Sequence, residues 1–137
     1  FSELNLPVDN NSLFKAISER KTISPWGPDL YINEILIHGK HVLAPFLLSL
    51  FNKIFEIGYF PTSWSEGYIV PLQQKGSTTD VNKYRGITLL STLGKLFTRI
   101  LNNRLTEWAE KYSVYIEAQT CCPNVKKIVF FVERYIV

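Results

Sequence analysis

An α+β fold, helices packed with an antiparallel hairpin, is predicted by three features of the chain. Two segments, 43–58 and 92–112, carry apolar residues at helical spacing. Between them, two β-branched and aromatic runs, 67–72 and 84–90, flank a polar, turn-forming stretch. With 137 residues, 46% hydrophobic and 14% aromatic, the chain has the size of one globular domain and the means to bury a core.

Residues 9–21 form the first predicted helix, with Asn11 or Ser12 as its cap. Leu13, Ala16 and Ile17 follow at helical spacing, and Val8 is placed to staple the start. Ser24-Pro25-Trp26-Gly27-Pro28-Asp29 reads as a loop, because two prolines and a glycine exclude helix or central strand. The next helix takes Leu43, Phe46, Leu47, Leu50, Phe51, Ile54 and Phe55 in the i, i+3, i+4, i+7 series and stops at Gly58. Pro45 is expected in its first turn, where the missing amide costs nothing. In the run 67–72, Pro71 cannot donate to a ladder and marks an edge strand. The run 84–90 is its partner in a long hairpin with a basic tip, the linker 76–80 being turn-forming. The last helix sets Leu93, Phe97, Ile100, Leu101, Leu105, Trp108 and Tyr112 on one side and Lys95, Arg99, Asn102 and Thr106 on the other. Arg104 falls within the apolar side, where a guanidinium needs a partner or must extend its head past the apolar surface. The tail carries two lysines followed by five apolar residues, 126–132, a strand-prone and aggregation-prone run that could instead shield the last helix.

Charge is uneven along the chain. Residues 1–68 carry a balance of −2 and residues 69–137 a balance of +5. Lys75, Lys83, Arg85, Lys95, Arg99 and Arg104 are opposed in their own stretch only by Asp80. Such a cluster attracts a polyanion in a salt-dependent way; an ordinary solvated basic face is the alternative. No apolar run is long enough to span a membrane, and the start lacks a signal-peptide pattern. Cys121 and Cys122 are adjacent, which disfavours a disulfide framework and suggests a reducing, intracellular setting.

Motifs for metalloprotease, nucleotide P-loop and serine-hydrolase chemistry are all absent from the sequence. His38 and His41 lack companions and read as surface residues, and Asp9, Asp29 and Asp80 sit in turn or cap contexts with local backbone roles. No catalytic or metal-ligating residue is therefore assigned. With no methionine and Phe1 at its start, the chain is expected to be a fragment or a processed product.

Five segments carry a resemblance. They are Ser24-Pro25-Trp26-Gly27-Pro28-Asp29; 64–72 with Lys75-Gly76; Asn82-Lys83-Tyr84-Arg85-Gly86-Ile87-Thr88-Leu89-Leu90; Lys95-Leu96; and Asn103-Arg104-Leu105. In order and spacing they resemble the N-terminal, fingers-side motifs of non-LTR retrotransposon (LINE-type) reverse transcriptases. The resemblance covers about residues 5–119. It departs from the family where Trp26 is interposed, where Leu30 replaces a second glycine, where Gln74 replaces a lysine, and where Thr120-Cys121-Cys122-Pro123 replaces a Gly-Phe-Arg segment.

The resemblance implies a truncated polymerase fold: a partial domain over 1–119, fingers and the start of the palm, and a divergent tail over 120–137. It implies that Lys75 and Arg85, with Gly86 allowing close approach, face the triphosphate of an incoming dNTP. It also implies that Lys83, Lys95, Arg99 and Asn102 face the backbone of an RNA template and DNA primer. The family's Mg²⁺ ions are held by palm aspartates that this chain does not reach, so no cofactor is expected on it, and alone, without palm and thumb, it is expected to be inactive. Action on chromosomal DNA, and so a nuclear setting, follows from the resemblance only. A non-catalytic helical interaction module and a functionless retroelement relic are the alternatives.

Overall fold

The computed structural model describes residues 2–22, 25, 27–75 and 77–112. The expectations for the tail, for Cys121 and Cys122, and for Ser24, Trp26 and Gly76 lie outside these residues. The described chain is α+β, with four helices and one two-stranded antiparallel hairpin. In order these are α1 (Asn10–Ser18), α2 (Asn33–His38), α3 (Lys40–Ile57), β1 (Gly67–Gln73), β2 (Tyr84–Leu90) and α4 (Thr92–Lys111). Short 3-10 turns stand at Ser2–Asn5, Thr62–Trp64 and Val81–Lys83.

Helix α1 begins two or three residues earlier than expected. Asp9 rather than Asn11 or Ser12 is its cap, accepting the Ser12 amide at 3.1 Å. That side-chain contact with Ser12 holds the Asp9 carboxyl below the usual aspartate range. Val8 and Leu13, on either side of the cap, are both buried, as a hydrophobic staple requires. The Asn52 side chain locks the entry, accepting from the Val8 amide at 2.6 Å and donating to its carbonyl at 3.1 Å.

Helix α3 starts at Lys40, immediately after the short helix α2, which the apolar pattern did not reveal. Pro45 is therefore inside α3 and not in its first turn, and it removes the amide that would bond the His41 carbonyl. Gly39 separates the two helices, so His38 and His41 do not share one helical face; His41 lies edge-on to Phe14, with ring centroids 5.3 Å apart. At its far end Gly58 adopts φ 69°, the left-handed stop expected of a glycine.

The core draws on every helix: Leu13, Ala16 and Ile17 from α1, Leu36 from α2, Leu47, Phe51 and Ile54 from α3, and Leu96, Phe97 and Ile100 from α4. Phe51, Phe60, Trp64 and Phe97 meet at centroid distances of 5.1–6.2 Å, tilted or edge-to-face as ring quadrupoles prefer. Two of the seven residues in the α3 apolar series, Phe46 and Leu50, point elsewhere: Phe46 is 71% exposed while Phe51 is fully buried. Surface ion pairs tie α4 to its neighbours, Lys15 to Glu107 at 2.6 Å and Lys111 to Glu3 at 2.6 Å. Each such hydrogen bond raises the lysine above its usual range, and Lys111 lowers Glu3 in turn. Arg104 leaves the apolar side as anticipated, passing the Phe55 ring to donate to the carbonyls of Leu6 and Pro7.

Candidate nucleic-acid interface

The hairpin pairs Gly67 with Leu90 through to Gln73 with Tyr84 in an unbroken antiparallel register. Directly opposed residues share a face, so one face carries Tyr68, Val70 and Leu72 against Leu89, Ile87 and Arg85. The other carries Ile69, Pro71 and Gln73 against Thr88, Gly86 and Tyr84. Every residue of β1 is exposed, as is β2 until Leu89, so neither face of the ribbon is packed on the helices. A two-stranded ribbon of this kind is marginal by itself in water, and its apolar residues gain from a partner.

The turn is organised by its own side chains. The Asp80 carboxylate accepts the Asn82 amide at 3.0 Å, the Tyr84 hydroxyl donates to the Thr78 carbonyl at 2.9 Å, and the Gln74 amide donates to the Lys83 carbonyl at 2.6 Å. Lys75 and Lys83 lie at this distal end and Arg85 at the start of β2, opposite Leu72. All three are exposed and none has an ion pair among the described residues. Gly86 opposes Pro71, and a β-carbon there would sit 3.3 Å from Ile69 Cγ2, a tight contact but not a closed one.

The α4 residues grouped with them are placed differently. Arg99 pairs with Glu19, the C-cap of α1, at 3.5 Å, and Asn103 donates to the same carboxylate at 3.2 Å. Lys95 is half-buried and engaged. Asn102 corrects the expectation of a solvent-facing stripe, being only 3% exposed with its carbonyl oxygen unbonded. The reason is geometric: Asn102 and Ile100 are both buried yet stand about 200° apart around the helix. Helix α4 is thus enclosed on more than one side, and a single polar stripe does not exist there.

Asp29 is the residue whose role the sequence understated. Far from serving its own turn, it accepts from the Ser91 hydroxyl at 2.7 Å and the Leu93 amide at 3.2 Å, across more than sixty residues of chain. Ser91 caps α4, accepting the Gly94 amide at 3.1 Å. Its partner in the loop had no local signal.

Among the described residues no three His, Cys, Asp or Glu side chains come together as a metal site. Nor is any described helix long and apolar enough to cross a membrane.

No protein-family profile matches the chain. Individual proteins do. The RNA-directed DNA polymerase from mobile element jockey of Drosophila melanogaster is 38% identical over 80 residues, 58% of this chain and 9% of that protein. Its counterpart from Drosophila funebris is 30% identical over 100 residues, 72% of this chain and 11% of that protein. A probable RNA-directed DNA polymerase from transposon BS of Drosophila melanogaster is 33% identical over 63 residues, 45% of this chain and 7% of that protein. The chain thus spans about a tenth of the length of the relatives it matches. Over part of its length, then, it is similar to RNA-directed DNA polymerases of non-LTR retrotransposons.

Proposed function

We propose that residues 1–119 are the fingers and early palm portion of a retrotransposon reverse transcriptase, followed by a divergent tail over 120–137, and that the β1–β2 hairpin is its nucleic-acid and nucleotide-facing element. One observation carries this reading beyond the similarity: the ribbon leaves the helical core with Lys75, Lys83 and Arg85 exposed and without ion pairs among the described residues. Solvated cations on a protruding ribbon are placed to neutralise phosphates, and a guanidinium grips phosphate oxygens in bidentate fashion. Lys75, Arg85 and Gly86 face the dNTP triphosphate in this reading, and Lys83 and Lys95 the RNA template and DNA primer. Arg99 and Asn102 support α4 instead, since one is paired with Glu19 and the other is buried. Polymerisation belongs to the longer protein, whose palm supplies the metal-binding aspartates.

The test is the salt dependence of binding to a short RNA template annealed to a DNA primer, followed by fluorescence anisotropy. Each phosphate contact contributes about 0.7–0.9 to the slope of log K against log salt, so replacing Lys75, Lys83 and Arg85 with alanine is expected to flatten that slope by about 2–3. An unchanged slope, with the helices intact by circular dichroism, removes the hairpin from the interface. A protein-interaction module is the second reading, favoured by the exposed Val42, Phe46 and Ile57 along α3. It predicts no salt-sensitive affinity for the hybrid at all.

A further inference from the structure

Strand β2 runs into α4 with Ser91 as the only residue between them, and β1 and β2 pack chiefly on each other with no extensive contact to a helix. The direction in which the ribbon projects is therefore set at its root. Trp64, buried in the core, holds the β1 side three residues before the strand. On the β2 side the loop 27–31 grips the joint through several independent contacts. Asp29 Oδ2 accepts from the Ser91 hydroxyl and the Leu93 amide, and Thr92 Oγ1 donates to the Tyr31 carbonyl at 2.8 Å. Arg20 Nη2 donates to the Thr92 carbonyl at 3.3 Å. The Gly27 backbone lies so close that a β-carbon would overlap the Leu90 carbonyl. Leu30 is held at φ 57°, a left-handed conformation that non-glycine residues rarely adopt. The contacts that place Asp29 and Tyr31 on either side of it support that conformation.

We propose that the loop 27–31 is a clamp on the β2–α4 joint and that Asp29 is the positioning residue that fixes the direction of the ribbon and its Arg85. Both hydrogen bonds go to one carboxylate oxygen, Oδ2, while Oδ1 is buried without a hydrogen-bond partner. An asparagine that sets its carbonyl oxygen at the Oδ2 position therefore retains the clamp, and an alanine removes it. The consequence for nucleic acid rests on the function proposed above; the consequence for ribbon direction does not.

The experiment reads the two separately. Residual dipolar couplings of backbone amides in the weakly aligned full chain report whether ribbon and helices share one orientation. The ribbon amides are expected to fit the alignment of α4 in the wild type and in Asp29→Asn, and to shrink towards zero in Asp29→Ala while α4 keeps its couplings. Thr92→Val, which removes only the bond to Tyr31, is expected to reduce the ribbon couplings in part. Ribbon couplings that still fit in Asp29→Ala, or that never fit in the wild type, overturn the clamp. Should Asp29→Ala unfold, unchanged ribbon couplings in Thr92→Val overturn it, and reduced ones support it. Binding of the RNA and DNA hybrid is then compared in a cycle with Arg85→Ala. If the clamp acts through Arg85, Arg85→Ala weakens binding in the wild type and adds nothing in Asp29→Ala. A wild type that does not bind the hybrid sinks the proposed function and leaves the couplings to decide the clamp.

Discussion

Phe46 and Phe51 are both phenylalanines of α3 and both belong to its apolar series, yet the fold treats them oppositely. Phe51 is fully buried, with Phe97 at 5.4 Å and Trp64 at 6.2 Å between centroids; Phe46 is 71% exposed. Phe51→Ala removes a ring enclosed by α3, α4 and the turn Thr62–Trp64, and the surrounding helices cannot collapse fully into the space. A buried Phe→Ala change costs about 3–5 kcal/mol, a large part of the total stability of a domain this small. At roughly 3–5 °C per kcal/mol for a domain between the small and the larger size classes, the melting temperature is expected to fall by about 9–25 °C. Phe46→Ala gives up little burial and is expected to cost under about 1 kcal/mol. Thermal and urea unfolding by circular dichroism, with tryptophan fluorescence as a second probe, measures both. Costs that agree within about 1 kcal/mol would refute the register in which α3 faces the core, because the contrast rests on that register alone.

Two further outcomes follow from the packing. Asp9→Ala is expected to cost about 1 kcal/mol at neutral pH through loss of the α1 cap. Because the folded Asp9 carboxyl lies below its ordinary range, the cap contributes above the unfolded value and is lost as pH falls through the folded one. Urea titrations from neutral pH down to about pH 3 should therefore show wild type and variant converging; a constant difference would contradict the cap. Arg104→Met keeps the stem beside Phe55 but removes the bonds to the Leu6 and Pro7 carbonyls, at an expected cost of about 1–3 kcal/mol. Limited proteolysis should then cut faster within residues 2–8, and an unchanged cleavage rate would show that the segment is held by other contacts.

Much of the secondary structure could be read from the chain because its causes are local. The ribbon strands, the stop at Gly58 and the span of α4 follow from β-branched runs, a left-handed glycine and a long period-3.6 pattern. These signals act within a few residues. Local signals misled where three caps competed: Asp9, Asn11 and Ser12 are all capable, and the buried pair Val8 and Leu13 is placed as a staple around Asp9. Pro45 falls inside α3 because that helix starts at Lys40, directly after α2, whose six residues with Leu36 buried are too short a run for periodicity to announce.

The hairpin cations were visible as a charge cluster, and their exposure agrees with the reading that a charged ribbon is solvated. What each α4 side chain does was not visible. Periodicity fixes an angle around the helix but not which angles neighbours cover, so Asn102 could be assigned to solvent until the packed helix enclosed it. The same holds for the long-range polar contacts. Asn52 on the Val8 backbone, Glu19 on Arg99 and Asp29 on the β2–α4 joint each join residues more than forty positions apart. The sequence by itself determined the elements, because propensity, capping and turn chemistry are properties of neighbours along the chain. Only the tertiary structure decided which polar groups meet, because a hydrogen bond across a fold depends on where packing brings two distant backbones.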